Sequence, residues 1–511
     1  MNRINTMLRN TGVGAVTGLF GIVALVPLAG LFGPVARGPF PALPTSPSTT
    51  AADPAPADFV GHWQGDLDVG GTSLRLVFHI EASEDGGLAA TLDSPDQGAT
   101  GIPVETVTVK GDSLRLDIAA ASAVYVGRLT AEGQTIEGEW RQGGTTLPLT
   151  VERVDEVEKR PRPQDPEPPL PYAEETVRID VPGADVTLEG TLTLPPGDGP
   201  VPAVVLVSGS GPQDRDETVA GHRPFLVLAD HLTRRGVAVL RTDDRGVGGS
   251  TGSTFRSTMD DRARDVLAAV RFLGERPGID RQRIGLLGHS EGGWVAPLAA
   301  TEAPDEIAFA VLMAGPGQSP RDLMLSQQRT LLTAQGSEDA EIAAREAFLE
   351  GNFDIILASP DTATARTRLL ERRARILTEL PDAQRRALET YFEEQTDAER
   401  DQALRLANSA WFRDLLAFDA ASSLRAMEQP VLALFGTKDV QVPADENAPL
   451  LAGLLNADAR PDREVRVLPG LNHLFQPSET GLPSEYAAID TTMSAAALEA
   501  VGGWITAVVG R

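Results

Sequence analysis

The stretch Ile284-Gly285-Leu286-Leu287-Gly288-His289-Ser290-Glu291-Gly292-Gly293 decides the fold. A short apolar run leads into a serine set between glycines, and residues 294–300 behind it are compatible with a helix. The spacing is Gly-x-Ser-x-Gly. Glycines on both sides let the backbone turn sharply, so the serine can be presented on a strained strand-to-helix elbow. The following helix aims its N-terminus at the serine and favours negative charge developing there. Ser290 is therefore read as a nucleophile rather than as a plain turn serine.

Outward from this elbow the same alternation continues. Apolar runs recur at residues 203–207, 237–240, 308–313, 431–435 and 465–468, with amphipathic stretches such as 260–273 between them. Short buried strands separated by helices predict a mostly parallel sheet covered on both faces. Between about residues 318 and 425 the β runs stop. That stretch is rich in Ala, Leu, Arg and Glu and predicts a helical cap inserted between two strands.

A serine hydroxyl is a weak nucleophile and needs a base. The chain has six histidines, His62, His79, His222, His231, His289 and His473. In the order serine, acid, histidine, His473 alone follows Ser290. It lies just after the run 465–468 and Pro469-Gly470, where a loop would carry it over the sheet edge. The acid should end the preceding strand. Gly436-Thr437-Lys438-Asp439 follows 431–435, so Asp439 is the candidate and Asp445 its rival. An oxyanion needs two backbone N–H donors. One is expected from Glu291, the residue after the nucleophile. The other is expected from the turn Ser208-Gly209-Ser210-Gly211-Pro212, with Ser210 favoured over Gly209 and Gly211.

These motifs carry a family resemblance. About 340 C-terminal residues resemble an α/β-hydrolase-fold serine hydrolase of the esterase and serine-aminopeptidase-like group. Ser208-Gly209-Ser210-Gly211-Pro212-Gln213-Asp214-Arg215-Asp216 is similar to the turn motif of bacterial EstD-type carboxylesterases. Asp243-Asp244-Arg245-Gly246-Val247-Gly248-Gly249-Ser250 resembles their second loop. The elbow and Leu471-Asn472-His473-Leu474-Phe475-Gln476 complete four motifs in order. The resemblance implies a covered α/β sheet, a helical cap and ester hydrolysis through a Ser-His-Asp triad.

Other chemistries find no support. Gly246-Val247-Gly248 lacks the third glycine of a dinucleotide fingerprint, since Thr251 stands there, and no P-loop or His-Glu-x-x-His zinc motif occurs. No cofactor or metal is expected. Asp214 to Asp216 and Asp243 to Arg245 read as ion pairs that shape loops. Trp411 and Phe412 could line an acyl pocket or pack the cap core. With 72 acidic against 45 basic residues the net charge is −27, which disfavours a duplex nucleic-acid partner. No cysteine is present, so disulfides and thiol chemistry are excluded.

The remaining organisation is read from composition and periodicity. Residues 1–37 are a signal peptide or an N-terminal membrane anchor. Arg3 and Arg9 precede the uncharged stretch 13–36, which is long enough to cross a bilayer. Both readings put the rest of the chain outside the cytoplasm, as a periplasmic, extracellular or membrane-tethered protein. Residues 38–57 are a spacer. Residues 58–153 form a small antiparallel β domain, a barrel or sandwich. Leu74, Leu76, Phe78 and Ile80 alternate with Arg75, Val77, His79 and Glu81, Leu114, Leu116 and Ile118 alternate with Arg115 and Asp117, and Leu147, Leu149 and Val151 repeat the period of two. Residues 154–173 are a Pro-rich linker, and 174–511 hold the α/β-hydrolase domain. The expectation is an exported serine hydrolase acting on small carboxylic esters with short to medium acyl chains. The alternatives are an aminoacyl-amide hydrolase and a catalytically idle binding protein.

Overall fold

The computed structural model describes residues 56–510, apart from 70–71, 84–86, 96–98, 119–120, 122, 143–144, 156–161, 198 and 396. Residues 1–37, expected to be a signal peptide or an anchor, lie outside the described residues. Among the described residues no helix is long and apolar enough to cross a membrane. The chain divides into two compact units, and residues 388–402, from the end of the helix Asp382–Glu394 into the helix Asp397–Ala407 of the cap insertion, group with the first.

The first unit carries nine antiparallel strands: β1 (Gly61–Val69), β2 (Thr72–Ala82), β3 (Leu88–Ser94), β4 (Ala99–Val104), β5 (Thr106–Lys110), β6 (Ser113–Ile118), β7 (Ala123–Leu129), β8 (Thr135–Gln142) and β9 (Thr145–Val154). Their order is β4-β3-β2-β1-β9-β8-β7-β6-β5, so the first and last strands pair at the centre and the sheet curls into a nearly closed barrel. Of the barrel and the sandwich, the structure takes the barrel. The period-two pattern sends one face inward: Leu76, Phe78, Ile80, Leu114, Leu116, Ile118, Leu149 and Val151 are all buried. Trp63, Tyr125 and Trp140 fill the middle and are 0% exposed. Each polar tip is satisfied. Trp63 Nε1 donates to the Phe59 carbonyl at 2.8 Å, Trp140 Nε1 to Gln142 Oε1 at 2.9 Å, and Tyr125 Oη to the Ile136 carbonyl at 3.1 Å.

The second unit is an eight-stranded sheet in the order β10-β11-β13-β12-β14-β15-β16-β17. The strands are β10 (Ala173–Asp180), β11 (Thr187–Leu194), β12 (Val201–Val207), β13 (Ala238–Thr242), β14 (Ile279–His289), β15 (Phe309–Met313), β16 (Val431–Gly436) and β17 (Arg463–Leu468). β10 and β11 form an antiparallel edge, and from β13 to β17 every pairing is parallel. β15 and β16 are buried along their whole length, which requires cover on both faces. The cover comes from α1 (Pro224–Thr233), α2 (Met259–Gly274) and α3 (Gly292–Glu302), and from α10 (Ala420–Ala426), α11 (Ala444–Leu454) and α12 (Ala495–Val509). α1 packs with α12, and α2 packs with α3, which also meets α10. Between β15 and β16 the chain runs through helices only: α4 (Pro320–Ala334), α5 (Asp339–Ala358), α6 (Thr362–Glu379), α7 (Asp382–Glu394), α8 (Asp397–Ala407), α9 (Ala410–Ala417) and α10. This is the helical cap insertion.

Because β12 to β17 are parallel, their C-terminal ends share one edge. β12 lies between β13 and β14, so the winding direction reverses there. Such a switch point opens a crevice beyond the strand ends. The turn after β12 and the turn after β14 flank it.

Candidate active site

The elbow after β14 is strained as its sequence demands. Ser290 has φ 54°, a left-handed conformation that few non-glycine residues adopt. Its N–H donates to the Met313 carbonyl at 2.9 Å, which ties the turn to β15. The flanking glycines are required by contact. A Cβ at Gly288 would stand 2.1 Å from the Gly292 carbonyl oxygen, and one at Gly292 would stand 2.2 Å from the Val207 carbonyl oxygen. α3 starts directly behind, and no side chain caps its N-terminus. The N–H groups of Gly293 and Trp294 turn back onto the Ser290 and Glu291 carbonyls, each at 2.8 Å, which leaves those of Glu291 and Gly292 unpaired among the described residues.

The structure brings His473 to Asp439. His473 Nδ1 lies 2.8 Å from Asp439 Oδ2, and both side chains are nearly buried. Asp439 follows β16 directly and His473 lies on the loop after β17. The second carboxylate oxygen, Oδ1, accepts the N–H groups of Gln441 and Val442, each at 2.8 Å. One oxygen thus fixes the acid in its loop and the other orients the imidazole. The rival Asp445 sits exposed in the first turn of α11 and makes no hydrogen bond to His473 among the described residues. No hydrogen bond joins Ser290 to His473 among the described residues, which is common before substrate binds.

The turn after β12 lies against Ser290. A side chain at Gly209 would come within 3.3 Å of Ser290 Cβ. The Gly209 N–H is already committed to Glu217 Oε1 at 2.7 Å, which removes Gly209 as an oxyanion donor. The N–H groups of Ser210 and Glu291 have no hydrogen-bond partner among the described residues. These are the two donors that the sequence singles out.

Several charged groups around this turn escape sequence reading. Glu291 is 1% exposed. Its Oε2 accepts from Ser210 Oγ at 2.8 Å, and its Oε1 accepts from Trp411 Nε1 at 3.0 Å and from Arg262. Arg262 Nη2 also donates to the Gly209 carbonyl at 3.1 Å. Asp244 accepts from Ser208 Oγ at 2.7 Å. Burial pushes its carboxyl up to about 6, with Arg262 opposing. Arg262 has a visible signal. It interrupts the apolar stripe Met259, Ala263, Val266 and Val270 of α2, which makes it a charge placed toward the core. Glu217 has none, since no spacing links it to the elbow.

His289, next to Ser290 in the chain, has an acceptor at each ring nitrogen. Nδ1 lies 3.0 Å from Glu217 Oε1 and Nε2 lies 3.0 Å from the His473 carbonyl. Only the doubly protonated ring satisfies both. Burial works to lower its pKa, but the Glu217 carboxylate and these hydrogen bonds together raise it. The predicted loop ion pairs are present elsewhere: Arg215 grips Asp243 at 2.6 Å and Arg245 grips Asp265 at 2.6 Å. Trp411 and Phe412 are both 1% exposed. Trp411 reaches the elbow through its ring nitrogen, and Phe412 packs on Phe353 with centroids 6.2 Å apart.

A family model described as the alpha/beta hydrolase family matches residues 204–482. Esterase EstD of Thermotoga maritima is 30% identical over 300 residues, which are 58% of this chain and 61% of that protein. The chain thus spans about three fifths of that relative's length. A dipeptidyl peptidase family member 6 of Caenorhabditis elegans is 32% identical over 162 residues, 26% of this chain and 21% of that protein. Among solved structures, Est1E from Butyrivibrio proteoclasticus matches at 17% identity with TM-score 0.36, covering 66% of this chain and 99% of its own.

Proposed function

The chain belongs to the alpha/beta hydrolase family, and on that premise we propose that it cleaves small carboxylic esters through Ser290, His473 and Asp439. The observation that carries this reading is the 2.8 Å bond between His473 and Asp439, formed at the sheet edge where the strained Ser290 turn ends β14. The similarity to an esterase at 30% identity supports ester substrates. Ser290 Oγ attacks the acyl carbonyl while His473 Nε2 takes its proton. Asp439 holds the tautomer that leaves Nε2 free and stabilises the imidazolium that forms. The Ser210 and Glu291 N–H groups bind the oxyanion. His473 returns the proton to the leaving alcohol. Water, activated by the same imidazole, then releases the acyl group. No step calls for a cofactor. The positive start and apolar stretch of residues 1–37 support export of the mature enzyme.

Ser290→Ala and His473→Ala are each expected to lower ester turnover by about three powers of ten or more with an unchanged circular dichroism spectrum. A fluorophosphonate probe should label the wild type and not Ser290→Ala. Labelling of both proteins, or normal turnover in either variant, would sink the assignment. A second reading, hydrolysis of aminoacyl amides, is favoured by the match to a dipeptidyl peptidase. Matched ester and anilide substrates separate the two, since an amine leaving group demands fuller protonation.

A further inference from the structure

Three elements that are far apart in sequence meet on one carboxylate. Ser210 comes from the turn after β12, Arg262 from α2, and Trp411 from α9 of the cap, 120 residues after Glu291. We propose that the Glu291 side chain is a positioning residue that couples the cap to the oxyanion-binding turn. This rests on the serine-hydrolase reading above and assigns to its site a residue whose side chain never touches substrate.

The geometry gives the coupling a defined path. Glu291 supplies one oxyanion donor through its own N–H. Its carboxylate holds the other donor in two ways. It accepts the Ser210 hydroxyl directly at 2.8 Å. It also anchors Arg262, whose Nη2 donates to the Gly209 carbonyl at 3.1 Å. That carbonyl and the Ser210 N–H belong to one peptide plane. A trans peptide points its C=O and N–H in opposite directions. Gripping the carbonyl from behind therefore aims the N–H at the site.

The remaining donor to the carboxylate belongs to the cap. Trp411 Nε1 reaches Glu291 Oε1 at 3.0 Å. α9 is fastened at two further points. Asp414 Oδ2 accepts the Met259 N–H at the start of α2 at 2.7 Å, and the Phe255 ring meets the Trp411 ring edge-on at 6.2 Å. A cap that seats α9 fully delivers the indole N–H and fixes the carboxylate. A cap that lifts α9 withdraws it, and the carboxylate is then held by Ser210 and Arg262 alone, which loosens its grip on the turn that carries the Ser210 N–H. An acyl group that fills the cap would tighten the oxyanion site, so substrate fit should appear in kcat rather than KM.

The test uses the full chain and a series of p-nitrophenyl esters. Trp411→Phe removes the indole N–H and keeps an aromatic ring. Ser210→Ala removes the hydroxyl and keeps the backbone N–H. Each is expected to lower kcat about 10-fold with KM changed less than about 2-fold, a part of what losing one oxyanion donor costs. Because both act through one carboxylate, the double variant should lose well under the product of the two single losses. Glu291→Gln should lose about 100-fold in kcat. If it fails to fold beside Arg262, the other two variants decide. Unchanged kcat in both single variants, losses confined to KM, or a double variant at the full product would each overturn the proposal alone. Turnover by Ser290→Ala would overturn the hydrolase reading and the proposal with it.

Discussion

His222 and His289 are both buried, and their surroundings shift their pKa values in opposite directions. His222 is 0% exposed, with Nδ1 2.9 Å from Thr492 Oγ1 and Nε2 2.8 Å from the Tyr486 carbonyl. A neutral ring satisfies both contacts by donating to the carbonyl and accepting from the hydroxyl. Burial pushes its pKa from 6.5 down to about 4. The unfolded chain therefore binds this proton more readily. Its contribution to stability is complete above pH 6.5 and is lost as pH falls toward 4. The full loss is about 3 kcal/mol. Asp244 is raised to about 6 and works in the opposite direction over much of that range. The two offset, so the His222 effect must be isolated by difference. The stability gap between wild type and His222→Asn, from urea unfolding, should narrow by about 3 kcal/mol between pH 7 and 4. A gap independent of pH would show that His222 does not titrate in this way. His289 has the opposite sign: its raised pKa gives a contribution that is lost as pH rises through the folded value.

Among the elements, the elbow is the one that sequence describes most fully. Its glycines are consecutive with the serine, so local pattern and local geometry coincide. Gly288→Ala would force a Cβ to 2.1 Å from a backbone oxygen, an overlap that only backbone movement could relieve. The expected result is a loss of more than about 3 kcal/mol together with loss of fluorophosphonate labelling. Gly503 is the contrast. It sits exposed in α12 with nothing within 4 Å of a built Cβ. Gly503→Ala should raise stability by about 0.5 to 1 kcal/mol. Thermal unfolding of the two variants, shifted in opposite directions, checks both.

The strands divide by the same logic. β12 to β16 are buried where they carry the apolar runs read from the sequence, while β17 is a half-exposed edge strand. β10 and β11 escape because they form an antiparallel edge, where polar and apolar residues alternate and no run appears. β14 extends back to Ile279 through Asp280, Arg281, Gln282 and Arg283, which no hydrophobic criterion would include. The order of serine, acid and histidine pointed to the pair now found bonded, His473 and Asp439. Glu217 and the Glu291 carboxylate leave no mark in the sequence, because their meaning lies in contacts between elements distant in the chain, whereas Arg262 is marked only as a charge within the apolar stripe of α2. Ser210 illustrates the limit. Its backbone was singled out, while its hydroxyl, bonded to Glu291, had no reason to draw notice.

For the whole molecule, the main fact is that the described residues form two large hydrophobic cores. The barrel residues form one cluster and the sheet, its helices and much of the cap form another. Trp140 lies at the centre of the first, 0% exposed. Trp140→Ala should cost about 3 to 5 kcal/mol by removing a large buried ring. Calorimetry of the full chain should show that loss in one transition, leaving the transition of the catalytic unit in place. A common shift of all unfolding events would mean that the cores melt as one. The acidic excess of the chain adds self-repulsion throughout and is screened by salt.

The packed interior of the barrel also bears on what that unit can recognise. Phe78 and Tyr125 stack with centroids 5.0 Å apart, and the Tyr125 hydroxyl reaches the carbonyls of Ile136 and Leu149. A guest entering the lumen would have to expel aromatic rings that are already anchored by their own hydrogen bonds. The barrel is thus closed to cargo along its axis. The faces this unit offers to other molecules are therefore the outward side of its strands and its turns, not its packed interior.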